Sequence, residues 1–201
     1  VGDDGIDVLA NNAGGIFGDR TPTVDGHEKT IQVNHLAPFL LTNLLMPSLL
    51  AGDGAAVINT SSVGHRLFGR IDVDDLDNER RFSANKAYGD AKLANILFTK
   101  SLHTKFRSDG LSSVAFHPGT VRTNFAAGSS SLMRLVYQGF LGRFLLTGVE
   151  EGGSILRWFI EGTPDETWFS GAYYDERRLT RRVNPQVDDA PLAEALWQKS
   201  A

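Results

Sequence analysis

The sequence predicts an α/β domain built on a doubly wound parallel sheet. Three observations carry that expectation. Short apolar runs of strand length alternate with longer segments of helical periodicity. Three of those runs stop at turn-forming or hydroxyl-bearing clusters: Asn11-Asn12-Ala13-Gly14-Gly15, Thr60-Ser61-Ser62 and His117-Pro118-Gly119. The order strand, helix, strand, helix, strand is that of βαβ units, which imply right-handed crossovers and a parallel sheet.

Taken in order, Ile6 to Ala10 is a short apolar run that reads as a buried strand closed by the Asn-Asn-Ala-Gly-Gly turn. From Val24 to Leu50 apolar residues fall near helical spacing, at Ile31, Leu36, Leu40 and Leu44. Ala55 to Thr60 is a second strand. Asn85 to Phe106 is a strong helix, because Ala87, Ala91, Ala94, Phe98, Leu102 and Phe106 form one stripe. Leu111 to Phe116 is a third strand. Ser129 to Ile160 reads as helix in two pieces, broken around Gly148. Ala172 to Tyr174 is a short fourth strand, and Pro191 to Lys199 a short amphipathic helix.

Composition bounds the function classes. The 201 residues fit a single domain, 1–201, with ample apolar material for a core. A net charge of −4 argues against a broad footprint for nucleic acid or an anionic membrane. The absence of cysteine excludes disulfides and thiolate metal sites and fits a cytoplasmic protein. The most apolar stretch, Leu36 to Leu50, is interrupted by Pro38, Asn43 and Pro47, so no membrane span is expected.

In open α/β sheets, ligands bind beyond the carboxyl ends of the strands. Asn12 to Gly14, Thr60 to Ser62 and His117 to Thr123 all fall there. Tyr88 and Lys92 lie four apart on the predicted helix and share a face. An ammonium about 5 Å from a phenol, at an effective dielectric near 20, favours the phenolate by roughly 3 kcal/mol. A tyrosine so tuned can exchange a proton with an alcohol or carbonyl oxygen; the pair taken alone is far more often just a tyrosine beside a solvated lysine. Ser61 and Ser62 offer hydroxyls for a substrate oxygen, or for a plain strand-end turn. Asn34 sits in a helix with Pro38 four residues later. Proline has no N–H, so the Asn34 carbonyl loses its usual intrahelical donor, and the helix should kink there and present an acceptor able to hold a water.

Together these features resemble the short-chain dehydrogenase/reductase family. Asn11-Asn12-Ala13-Gly14, Asn34, Ser62, Tyr88-Gly89-Asp90-Ala91-Lys92 and Pro118-Gly119-Thr120-Val121-Arg122-Thr123 occur in the family's order, and the resemblance spans essentially the whole chain. Ala87 to Asn95, the long Ser62-to-Tyr88 insertion, His117 to Asn124 and Gly171 to Tyr174 resemble its retinol-dehydrogenase-like and WW-domain-oxidoreductase-like branch.

The resemblance implies a Rossmann-like fold, and NADP or NAD as cofactor for interconverting an alcohol and a carbonyl on a small substrate. Tyr88 would be the general acid/base. Lys92 would hold the nicotinamide ribose and lower the tyrosine pKa, Ser62 would orient the substrate oxygen, and the Asn34 carbonyl would anchor a relay water. Asn12, Ala13 and Gly14 would lie along the cofactor, Asn12 near the adenosine ribose. Pro118, Gly119, Val121 and Thr123 would border the nicotinamide, the last two at its carboxamide. Residues 125–146 would form a lid whose Leu132, Met133, Leu135, Val136, Phe140, Phe144 and Leu145 suit an apolar substrate, or ordinary helix packing.

The family's Gly-rich phosphate turn is not in this sequence. Of the strand order 3-2-1-4-5-6-7, only 4-5-6-7 is expected, as in a piece of a longer protein of roughly 280–320 residues, a size within the single-domain range. Copies would pair through helices corresponding to 25–50 and 85–106. Two other readings remain: a protein that keeps the fold without turnover, and an extended relative acting on nucleotide sugars, which the Asn11-to-Gly14 and Pro118-to-Thr123 motifs fit less well.

Overall fold

A computed structural model of the chain describes residues 5–119 and 149–201. Strand β1 (Val8–Asn11) leads into helix α1 (Lys29–Ile31), a π turn over Gln32–Leu36, then α2 (Ala37–Leu44) and α3 (Met46–Ala51). Strand β2 (Ala56–Thr60) follows, then a short helix α4 (Gly64–Leu67), the long helix α5 (Ala84–Phe106) and β3 (Ser112–His117). The second described segment holds α6 (Val149–Glu161), β4 (Ala172–Asp175), β5 (Arg178–Leu179) and α7 (Ala190–Ser200).

Local chemistry accounts for the boundaries. Ser83 caps α5, its Oγ accepting from Lys86 N at 3.2 Å, and Asp189 caps α7 through Leu192 N at 2.9 Å. The buried Glu28 carboxylate caps α1 by accepting from Ile31 N at 3.1 Å. The break expected near Pro38 takes the form of a π turn, with Ala37 N donating to Gln32 O.

The sheet order is β1-β2-β3-β4-β5. Strands β1 to β4 are parallel, as the alternating pattern predicts, in the register Ala10↔Ile58, Ile58↔Val114 and Val114↔Ala172. The two-residue β5 pairs antiparallel with β4, a hairpin the sequence did not announce. Alternate residues of β2 and β3 face opposite layers. Val57 meets Phe39, Leu49, Phe98 and Leu102 on one face; Ala56, Ile58, Val114 and Phe116 meet Ile155 and Phe159 of α6 on the other. Both faces of a parallel sheet must be covered, and α2, α3 and α5 already fill the first. Helix α6 therefore covers the opposite face from α5, while the strand order keeps stepping in one direction. The β3-to-β4 crossover is therefore opposite in hand to the β1-to-β2 and β2-to-β3 crossovers, which lie on one face.

Helix α7 lies across α5. Trp197 packs edge-on to Phe39 at 5.0 Å between ring centroids and tilted against Phe98 at 5.8 Å. The Ser62-to-Tyr88 insertion is pinned to α5 by Asp90, which accepts from Arg70 N, Asn78 Nδ2 and Lys86 Nζ. Asn184 and Gln186 hold the same insertion from the other side, Asn184 Nδ2 donating to His65 O and Gly69 O, and Gln186 pairing both ways with the Ile71 backbone. Among the described residues no helix is long and apolar enough to cross a membrane.

Candidate functional site

The parallel strands place the ends of β1, β2 and β3 side by side, and α5 packs beneath β2 and β3. The expected site residues within the described segments fall on this rim or on α5, except Asn34, which lies on the π turn and is bonded to the rim at Gly15. Val121, Thr123 and the expected lid over 125–146 lie outside the described residues.

Lys92 is 2% exposed although it carries an ammonium. Its Nζ donates to Thr60 O at 3.2 Å and lies 5.6 Å from the centroid of the Tyr88 ring. The ammonium and the ring thus lie on one face of α5, as the i, i+4 spacing suggested. Burial alone lowers Lys92 from its ordinary 10.5 to about 8. The lysine that is to tune the tyrosine is therefore itself costly to charge, a factor the sequence spacing did not reveal.

The two serines separate cleanly. Ser61 is buried and spends its hydroxyl on Lys92 O at 2.7 Å. Ser62 is half-buried; its Oγ accepts from Gly64 N at 3.1 Å, which leaves the hydroxyl's own proton to donate. Gly64 joins Ser62 to Tyr88: a Cβ there would sit 3.0 Å from Tyr88 Cε1 and 3.5 Å from Ser62 Oγ. His65 braces the same turn through its contact with Ser62 O.

Asn34 is fully buried. Its side-chain amide holds the β1 rim, Oδ1 accepting from Gly15 N at 3.1 Å and Nδ2 donating to Gly15 O at 2.8 Å. The Asn34 carbonyl, expected to hold a water, accepts from Asn95 Nδ2 at 3.0 Å, which uses one of its two lone pairs. The bond has a simple cause: a buried acceptor needs a donor, and α5 supplies one from a side chain.

Asn12, Ala13 and Gly14 are exposed at the end of β1. Asn12 is oriented by Thr60 Oγ1, which donates to its Oδ1 at 3.0 Å. A Cβ on Gly14 would lie 2.4 Å from Asn34 Oδ1 and 3.2 Å from Lys92 Nζ. The bare backbone of Gly14 thus leaves open a path over the rim that reaches the ammonium. Gly119 adopts φ 77°, a left-handed conformation that favours glycine, and turns the chain just past β3. An exposed shelf with bare backbone at Gly14, beside a buried lysine, fits an anionic or hydroxyl-rich ligand such as a dinucleotide. No cluster of His, Asp or Glu able to hold a metal occurs among the described residues.

The sequence reasoning missed the polar layer under the rim. Asn11 Nδ2 donates to Thr42 Oγ1 and Asn59 Oδ1, and Asn59 Nδ2 to Thr99 Oγ1. Asn95 was quoted only as part of a motif. An asparagine three residues after Lys92, inside an otherwise apolar helical stripe, is the signal that marks it. A cleft of about 440 Å³ lies elsewhere, between α5 and the Val187–Glu194 region; ion pairs Lys100–Asp188 and Lys105–Glu194 flank it, and none of the expected site residues line it.

Residues 3–133 match the family described as short chain dehydrogenase. A Streptomyces sp. (strain C5) protein provisionally named daunorubicin C-13 ketoreductase is 42% identical over 197 residues, covering 98% of this chain and 64% of its own length. Human retinol dehydrogenase 12 is 37% identical over 196 residues, covering 97% of this chain and 60% of its own. The crystal structure of an uncharacterized protein from Mycobacterium Paratuberculosis superposes with a TM-score of 0.74 at 30% identity, covering 98% of this chain and 66% of that one. The chain thus spans 64% and 60% of the length of the two curated relatives described.

Proposed function

Because the chain belongs to the short-chain dehydrogenase/reductase family, in its retinol-dehydrogenase-like branch, we propose that it carries the catalytic half of an NAD(P)-dependent oxidoreductase acting on an alcohol or carbonyl. One observation carries this reading: Tyr88, Lys92, Ser62 and Asn34 converge at the ends of β1 and β2, with Lys92 buried against Thr60 O and the Tyr88 ring.

In this reading Ser62 donates its hydroxyl proton to the substrate oxygen and so fixes its place beside Tyr88. Tyr88 gives its phenolic proton to that oxygen in reduction and takes it back in oxidation. Lys92, when protonated, favours the phenolate and donates toward a ribose hydroxyl. Asn12, Ala13, Gly14, Pro118 and Gly119 would hold NADP or NAD, with Val121 and Thr123 as further proposed contacts. The cofactor, when bound, supplies or accepts the hydride. The provisional ketoreductase and retinol dehydrogenase names of the relatives favour a small, fairly apolar substrate. Copies that pair through the long helices would have to use the surface that α7 leaves, where Leu40, Leu41 and Leu44 are exposed.

The test is NADPH- or NADH-dependent reduction of a carbonyl by the longest available form of the protein. Tyr88→Phe should lower kcat by about a thousandfold, roughly 4 kcal/mol of barrier, with cofactor affinity little changed. Full activity in that variant would remove Tyr88 from the mechanism. A protein that binds neither NADPH nor NADH by calorimetry would favour a fold kept without turnover.

A further inference from the structure

We propose that Asn95 is a positioning residue of this site, its side-chain amide fixing the carbonyl that receives the Lys92 ammonium. The inference rests on the oxidoreductase reading above and deepens it.

Asn95 is 2% exposed on the inner face of α5. Its Nδ2 donates to Asn34 O at 3.0 Å and to Thr60 O at 3.1 Å. Lys92 Nζ donates to that same Thr60 O at 3.2 Å. Two side chains three residues apart on one helix therefore converge on a single carbonyl at the end of β2. The second carbonyl, Asn34 O, is the one whose α-helical donor would have been Pro38, which has no N–H.

The amide is held from behind. Both hydrogens of Nδ2 face carbonyl oxygens, so Oδ1 is the acceptor toward His35 Nδ1 at 3.3 Å. His35 then carries its proton on Nδ1, and its Nε2 lies 3.0 Å from Ser200 Oγ, whose hydroxyl is also 2.8 Å from Leu196 O. Thr99 Oγ1 donates to Asn95 O at 2.8 Å, which fixes the backbone. The amide has one orientation available, and that orientation sets the spacing between the Asn34 and Thr60 carbonyls.

Removing Nδ2 leaves two buried acceptors short of a donor. Thr60 O then depends on Lys92 alone, and Asn34 O opens to whatever donor reaches it. The position and protonation of Lys92 should change, a consequence that a general loss of packing would not produce.

The decisive measurement is an NMR pH titration of Lys92 Cε and Nζ in the labelled full protein, with Lys92→Arg for assignment, beside NADPH calorimetry and the pH profile of kcat. Asn95→Ala should move the Lys92 midpoint by ~0.5 pH unit or more, and Asn95→Asp should move it upward, since a carboxylate favours the neighbouring ammonium. Thr99→Val disturbs the same buried network without touching either carbonyl, and should leave the midpoint unchanged. The active limb of kcat should move with the midpoint. An unmoved midpoint in Asn95→Ala overturns the proposal. If that variant does not fold, Asn95→Asp, which keeps the shape, decides on the same titration. A wild-type protein that binds NADPH while its Lys92 titration ignores Asn95 refutes this inference alone. Failure of the wild type to bind NADPH or NADH refutes the reading beneath it.

Discussion

The Asn34 side chain grips both backbone polar groups of Gly15, accepting from its N–H at 3.1 Å and donating to its carbonyl at 2.8 Å. This clamp ties the rim of β1 to the π turn and holds the shelf of Asn12 to Gly14 over Lys92. Gly14 has no room for a side chain there, because a Cβ would stand 2.4 Å from Asn34 Oδ1. Gly14→Ala should displace the amide and weaken NADPH binding about tenfold or more, roughly 1.4 kcal/mol, measured by calorimetry. Unchanged affinity would show that the shelf does not carry the cofactor.

Lys92 should cost stability at neutral pH. Its folded pKa of about 8 lies below the ordinary 10.5, so between those values the unfolded chain binds more protons and stability rises with pH. Below about pH 8 the penalty is fully present, and above 10.5 it is gone. Lys92→Met should therefore abolish turnover yet raise stability by a few kcal/mol at pH 7, the gain vanishing at high pH. Urea unfolding at pH 7 and pH 10.5 checks both parts.

Three buried histidines set the acid limit. Burial, the largest cause in each case, lowers His35 and His117 to about 4, and lowers His65 as well. Their folded pKa values lie below 6.5, so the unfolded chain protonates first and stability falls as pH drops from 6.5 toward 4. Each of His35 and His117 should contribute a slope of about 1.4 kcal/mol per pH unit within that window. His117→Asn should flatten the profile; a stability curve level down to pH 4 would contradict the assignment.

The crossing of the Ser62-to-Tyr88 insertion over α5 depends on a missing side chain. A Cβ on Gly89 would lie 2.6 Å from Gly69 N and 2.7 Å from Phe68 C, both backbone atoms that cannot swing away. Gly89→Ala gains helix propensity of about 1 kcal/mol but should still lose about 3 kcal/mol overall, because backbones overlap. Thermal unfolding reads the loss, and an unchanged Tm would disprove the close crossing.

Much of the fold was legible in order and spacing. The strand-length runs became β1 to β4 within a residue or two; β2 and β3 are buried throughout, as the central strands of a parallel sheet must be. The stripe from Ala87 to Phe106 became α5, and the amphipathic run from Pro191 to Lys199 became α7. The Tyr88–Lys92 pair followed from helical periodicity alone. What did not follow was whatever depends on chain segments distant in sequence. The hand of the β3-to-β4 connection depends on which sheet face is already covered, and the β5 hairpin on a turn too short to show periodicity.

The sequence by itself determined which chemical groups stand at the strand ends and on the facing side of α5, since period and turn residues are local properties. Only the tertiary structure decided what those groups touch. It set the burial of Lys92, the division of labour between Ser61 and Ser62, and the capture of the Asn34 carbonyl by Asn95. The physical reason is that buried polar groups are satisfied across the fold: Asn34 and Asn95 are 61 residues apart in the chain yet share a hydrogen bond.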